Sequence, residues 1–454
     1  MKQKLRYILL GVGLILFNAS AFCQTTKWRD IYTVKKKDTI FGIANKYGLS
    51  LPELMEANPE MKKEGYMLQK GATIFIPFEK NTAAMSGTAQ NNAVQKQVAS
   101  QKKANTVNVG VMLPLHDVDG DGKRMVEFYR GILMACEKLK QQGISTNIHA
   151  WNVPIDADIR TTLVQEGANQ CDLIFGPLYT KQVASLADFC KTYGIKMVIP
   201  FSINGDQVDH CKEIFQVYQS PESLNDTSIK AFLNRFKNVH PIFVDCNDST
   251  SRKGNFTFGL RKELEKRKIN YSVTNVNSSL EYFAKAFVPS KQNVVILNTG
   301  RSPQLTQVLN KLDEFTAKYP GAVISLYGYT EWLMYAKYNL DRFYKYDTYI
   351  PSTFYYNANS AKTIDLESKY NTWFHQPMQV AMPRFAITGY DQAMFFIQGV
   401  NKYGKNFTGQ MTQVNYTPVQ TPLHFVKTSK GGYRNQILQL IHYTFNRQIE
   451  AVTY

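Results

Sequence analysis

No stretch of the sequence offers the roughly 20 consecutive apolar residues that a membrane-crossing helix needs. Cysteine is scarce. There are six in 454 residues, widely spaced and without a Cys-x-x-Cys pair, which excludes the common thiolate metal frameworks. Cys136, Cys171, Cys190, Cys211 and Cys246 therefore read as buried free thiols in preference to one or two disulfides. Hydrolytic motifs are missing as well: there is no Gly-x-Ser-x-Gly, no His-Glu-x-x-His and no cysteine placed ahead of paired histidines. His116, His149, His210, His240, His375, His424 and His442 are dispersed singles, a pattern of surface or satisfied core residues. The chain thus reads as a non-enzyme without cofactor or metal, an unrecognised glycosidase carboxylate pair being the enzymatic alternative. Acidic residues are also in short supply, 36 against 53 lysines and arginines, for a formal charge of +17.

The chain opens with Lys2, Lys4 and Arg6, an apolar run from Ile8 to Phe17 and the small residues Ala19, Ser20 and Ala21, the order of a secretory signal peptide over residues 1–23. Cleavage is expected after Ala21 or before Gln24. Phe22 stands where lipoprotein processing needs a small residue, which argues against lipidation of Cys23. Loss of the three basic leader residues lowers +17 to +14, an excess suited to an anionic surface such as phospholipid head groups or peptidoglycan carboxylates. An exported chain without a basic stripe interleaved with aromatics is not read as a nucleic-acid binder.

Residues 80–106 are rich in Ala, Gln, Asn, Ser and Lys and poor in large apolar side chains, so they cannot bury enough surface to offset their ordering entropy. They read as a flexible linker between a small module, residues 28–79, and a large one, residues 107–454. In the large part, strand-like runs at 107–115, 147–153, 171–176, 196–201, 241–246, 271–276, 293–298 and 322–327 alternate with helical patterns. One such helix, 124–141, repeats apolar residues at Met125, Phe128, Ile132, Ala135 and Leu139. This alternation predicts an α/β fold with parallel sheets flanked by helices, and its length predicts two lobes. Alternating residues from Gln413 to Tyr454 read as extra strands.

The small module reads as strand, helix, helix, strand. Tyr32-Thr33-Val34, Asp38-Thr39-Ile40, Ile43-Ala44, Tyr47-Gly48, Leu54, Asn58-Pro59, Lys70-Gly71 and Ile74 to Pro77 resemble LysM domains in order and spacing. That resemblance implies a shallow groove for N-acetylglucosamine chains, with Asp38, Thr39, Ile40 and Phe41 on one side and Asn58, Pro59 and Met61 on the other. Lys37 departs from the family, which usually has glycine there.

Other stretches resemble type I periplasmic binding proteins, the leucine/isoleucine/valine-binding kind. They are Val109-Gly110-Val111 through Leu115, Phe128-Tyr129-Arg130-Gly131, Ile174-Phe175-Gly176-Pro177, Ile199-Pro200-Phe201-Ser202 and Thr388-Gly389-Tyr390-Asp391-Gln392-Ala393. The resemblance implies two α/β lobes that close on a small ligand, with Tyr179, Thr180, Ser202, Asp245, Tyr329 and Glu331 at the pocket positions. The combination of modules is similar to outer-membrane activators of penicillin-binding proteins, which use such a fold without transport. The expected function is a wall-anchored scaffold in the periplasm or cell envelope that binds peptidoglycan and an envelope protein; the alternative is an amino-acid or peptide receptor of an ABC-type transporter. Asp117, Asp119, Asp121 and Gly122 copy half of a calcium loop, but its twelfth place is Phe128, so a solvated acidic loop is expected.

Overall fold

The computed structural model describes residues 28–36, 38–62, 66–77, 106–201 and 205–454. The leader with Cys23, Lys37, residues 80–105 of the expected linker and Ser202 lie outside the described residues.

In the small module, β1 (Trp28–Thr33) pairs antiparallel with β2 (Thr73–Pro77), Tyr32 opposite Ile74. Two short helices lie between them, α1 (Ile40–Lys46) and α2 (Leu51–Ala57). Local chemistry starts each one. Thr39 caps α1 by accepting a bond from the Gly42 amide, and Ser50 with Glu53 forms a reciprocal capping box on α2. Ile43, Ala44, Tyr47, Leu54, Met61, Ile74 and Ile76 make the core that such brief helices need, since they are too short to be stable alone.

The large part has two seven-stranded sheets. The first holds β3 (Thr106–Leu113), β4 (Ser145–Asn152), β5 (Leu173–Phe175), β6 (Lys196–Ile199) and β7 (Ile214–Gln216), all parallel. The second holds β8 (His240–Asp245), β9 (Ser272–Asn275), β10 (Asn293–Leu297), β11 (Ile324–Tyr327) and β12 (Thr348–Ser352), again parallel. The C-terminal region divides between them. β13 (Phe425–Lys427) and β14 (Tyr433–Asn435) extend the first sheet, whereas β15 (Gln439–Tyr443) and β16 (Ile449–Thr453) extend the second. The chain therefore passes between lobes after β7, after β12 and after β14, the connectivity of a two-lobed hinged fold.

Three further helices position the site: α3 (Gly120–Gln141), α4 (Ala361–Phe374) and α5 (Phe385–Tyr403). Although α4 and α5 come after the second lobe in sequence, they pack on α3 of the first, through Met134 against Leu366, Tyr370, Ala386 and Ile387. Within α5, Asp391 is buried and anchors the return segment, accepting bonds from the Tyr416 hydroxyl and the Val419, Gln420 and Thr421 amides. All five cysteines of the large part are buried free thiols. Burial pushes Cys136, Cys171 and Cys246 up to about 12, which removes the thiolate that reactivity requires.

Candidate functional site

The loop between β1 and α1 is held by Asp38. Its Oδ2 accepts the Tyr32 hydroxyl at 2.8 Å and the Lys35 amide at 2.7 Å. The Lys35 amide bond, ahead of the other contributions, holds this carboxyl below the usual range, while burial and Asp38 together push the Tyr32 phenol up to about 12. Next along the chain, Thr39 is exposed and spends its hydroxyl on the helix cap, Ile40 is half-buried, and Phe41 projects into solvent with 64% of its surface exposed.

The opposite wall differs from the sequence expectation. Asn58 is fully buried, its Nδ2 donating to the Leu54 and Phe75 carbonyls and its Oδ1 accepting the Phe75 amide at 2.7 Å, so it clamps the end of α2 to β2. Met61 also turns into the core, whereas Pro59 stays exposed. A buried amide with both its donors spent on backbone carbonyls has neither left for a sugar. The exposed Met67, in the loop before β2, is an apolar group on this side that the sequence pattern did not single out.

The residue with the largest structural consequence in the small module is Asp30, also missed. It is fully buried, yet it belongs to no site within its own module: Arg130 of α3 reaches it with Nε at 2.7 Å and Nη2 at 3.2 Å. Tyr47 donates its hydroxyl to the same carboxylate, Arg130 Nη1 donates to the Tyr370 hydroxyl, and the guanidinium lies over the Phe374 ring. Ile31 joins the apolar core of the first lobe, and the Tyr47 ring meets His375 edge-on. The small module is thus seated on the first lobe through a forked, charge-assisted pair in dry surroundings, where such bonds are strongest. No local signal marked it: Arg29 stands beside Asp30 in the chain, while the cation it pairs with lies a hundred residues away.

One turn from Arg130, Glu127 is 1% exposed and accepts the Gln379 amide at 2.7 Å. Burial pushes its carboxyl from 4.5 up to about 7, against the opposing pull of that amide. Because the folded state holds this proton more tightly than the unfolded chain, the associated stability is present below pH 4.5 and fades as pH rises through 7. Glu127→Gln keeps the acceptor and removes the titration. In thermal melts its midpoint should exceed that of the parent by a few degrees at about pH 8 and hardly at all at about pH 4.5; equal midpoints at both pH values would contradict this assignment.

The five pocket positions of the large part that are described, all but Ser202, fall into separate local sets. Tyr179, which precedes the helix Thr180–Tyr193, donates to Asp121 at 3.3 Å, and Thr180 beside it is exposed. At the end of β8, Asp245 accepts from Asn298 and from the Asn247 amide. Tyr329 is buried against Phe256 and Trp332 and donates to the Leu297 carbonyl. Glu331 pairs with Lys253 at 2.6 Å, and Lys253 lies over the Tyr329 ring. Among the described residues no hydrogen bond joins the first-lobe set to the second-lobe set. The acidic run leads from loop into helix: Asp117 and Asp119 are exposed and non-helical, Asp119 caps α3 through the Gly122 amide, and from Gly120 on, Asp121 included, the run is helical.

Residues 32–77 match the LysM domain family. No curated protein matches the chain. Among solved structures it is similar to a putative branched-chain amino acid ABC transporter protein from Rhodospirillum rubrum, at 14% identity and a TM-score of 0.53 over 76% of this chain and all of that one. It is also similar to LpoA from Haemophilus influenzae, at 14% identity and a TM-score of 0.49 over 77% of this chain and 59% of that one. An ABC transporter substrate-binding protein from Desulfitobacterium hafniense gives 14% identity and a TM-score of 0.44 over 76% of this chain and all of that one. At such identity the Rhodospirillum structure establishes the fold of the large part, a two-lobed periplasmic-binding-protein architecture, and fold alone does not carry function.

Proposed function

We propose that this is an exported, non-catalytic protein of the bacterial cell envelope that holds N-acetylglucosamine glycan, in the first place peptidoglycan, in the groove beside Asp38, Thr39, Ile40 and Phe41. The LysM match over residues 32–77 carries this reading. The exposed Phe41, in the first turn of α1, and Pro59, just past α2, support it, since a sugar site pairs an apolar platform for the N-acetyl methyl with backbone polar groups. Asn58 and Met61 enter this groove through their backbone, because their side chains are committed to the core.

The two-lobed part is proposed as a scaffold that contacts an envelope protein. What supports this over a solute receptor is that the Tyr329 hydroxyl is spent on the Leu297 carbonyl and Glu331 Oε1 on Lys253, which leaves Glu331 Oε2 as the acceptor there still without a hydrogen-bond partner. Co-sedimentation with purified peptidoglycan sacculi tests the first claim. Asp38→Ala frees the Tyr32 hydroxyl and the Lys35 amide, unfastens the loop, and should weaken binding about tenfold, or 1.4 kcal/mol. A parent chain that stays in the supernatant would refute the reading. A thermal shift of several degrees with a free amino acid would favour the receptor instead, because ligand stabilises as RT ln(1 + [L]/Kd).

A further inference from the structure

Where the small module meets α3 there is a cleft of about 140 Å³ that belongs to neither module alone. One wall is Tyr32, Lys35 and Lys46 of the small module; the other is Asp117, Lys123 and Arg130 of the large one, with Gln376 and Gln379 at the edge. Arg130 is matched by Asp30, and Lys123 lies 3.8 Å from Asp117. That leaves Lys35 and Lys46 lining the cavity without an ion pair among the described residues; Lys46 lies over the Tyr32 ring at 4.4 Å and is offset at longer range by Asp30 and Asp38. Lys46 is held below the usual lysine range by burial and then by repulsion from Lys35, so the two cations repel each other on one wall of the cleft. Such a site gains by taking up an anion. Its volume fits a carboxylate with the atoms around it, being roughly four or five times the share of one water molecule.

The cleft and the glycan groove lie on two sides of one loop. Lys35 and Tyr32 line the cleft, and the bonds from the Lys35 amide and the Tyr32 hydroxyl to Asp38 hold up the groove side. We infer that the junction cleft receives a carboxylate of the peptide stem carried by the same glycan strand, so that the two modules together read stem-bearing glycan in preference to bare sugar. This rests on the groove reading above. It makes the seat of the small module on the first lobe part of the binding site as well as a mechanical attachment.

The test compares two probes of equal glycan length, one with its peptide stems attached and one with the stems removed enzymatically, titrated against the mature chain and against Lys35→Gln/Lys46→Gln. The two substitutions remove the two cations that carry the inference and leave the Lys35 backbone amide on Asp38 in place. The parent should bind the stem-bearing probe about tenfold tighter than the stripped one at low salt, and the advantage should shrink as ionic strength rises. The double variant should lose most of that advantage while holding the stripped probe as the parent does, which also shows that its groove is folded. Equal binding of the two probes by the parent, or an undiminished advantage in the double variant, overturns the inference and leaves the groove intact. Failure of the parent to bind either probe overturns the groove reading and this one with it.

Discussion

Arg130→Ala should release the small module from the first lobe. In the parent, Asp30 is fully buried with two guanidinium bonds, so removing the arginine leaves a carboxylate in a dry site, a situation that costs about 3–5 kcal/mol. The chain has an escape that a core residue lacks, because undocking returns Asp30 to water. The observable loss is therefore capped by the docking free energy, and the cost appears first as separation and only then as unfolding. Hydrogen exchange reads this directly: the Ile31 amide, bonded to Asp30 Oδ1 at 2.8 Å, should lose protection while the amides of β5 and β6 keep theirs. Asp30→Asn with Arg130→Met removes both charges and should recover much of the loss, since a buried pair is often replaceable by neutral groups of similar volume. Unchanged protection of β1 in Arg130→Ala would show that the apolar contacts of Ile31 and Tyr47 hold the module without the ion pair.

Gly389→Ala should be among the most damaging single-methyl additions in the large part. At this position a Cβ would stand 2.0 Å from the Phe128 carbonyl oxygen, and across the crossing a Cβ on Gly131 would stand 1.9 Å from the Ala386 carbonyl oxygen. Both obstacles are backbone within long helices, so neither can rotate aside, and α3 and α5 have to separate along their whole contact. The expected cost is about 3 kcal/mol or more, a fall in the melting midpoint of roughly 6–12 °C, with Gly131→Ala behaving alike. Calorimetry on the two variants decides it. A midpoint within a degree of the parent in either would mean that the helices are free to part. The same crossing brings Arg130 to the small module, so a shift of α3 should also loosen the Asp30 contact, and the two sites should couple in a double-mutant cycle.

These two glycines sit in Phe128-Tyr129-Arg130-Gly131 and Thr388-Gly389-Tyr390-Asp391, two stretches by which the sequence resembles periplasmic binding proteins. Their roles are now physical ones: Gly131 and Gly389 permit the crossing, and Asp391 ties down the return segment. Most strand positions were legible because a buried parallel strand is a continuous apolar run. β7 and β12 were not. β7 offers only Ile214 and Phe215 as adjacent apolar residues between Glu213 and Gln216, and β12 carries Thr348, Pro351 and Ser352, which look like loop until the neighbouring strands enclose them.

The candidate site divides along the same line. Local pattern determined the strand-helix-helix-strand order of the small module, its caps at Thr39 and Ser50, the α/β alternation of the large part and the absence of a familiar catalytic constellation, because each of these is set by residues close together in the chain. Tertiary structure alone decided that Asn58 and Met61 turn inward, that Tyr329 and Glu331 already have partners, and that Asp30 finds Arg130 a hundred residues away. The physical reason is that periodicity and capping depend on neighbours a few residues off, whereas the partner of a buried polar group is chosen by which surfaces the fold brings together.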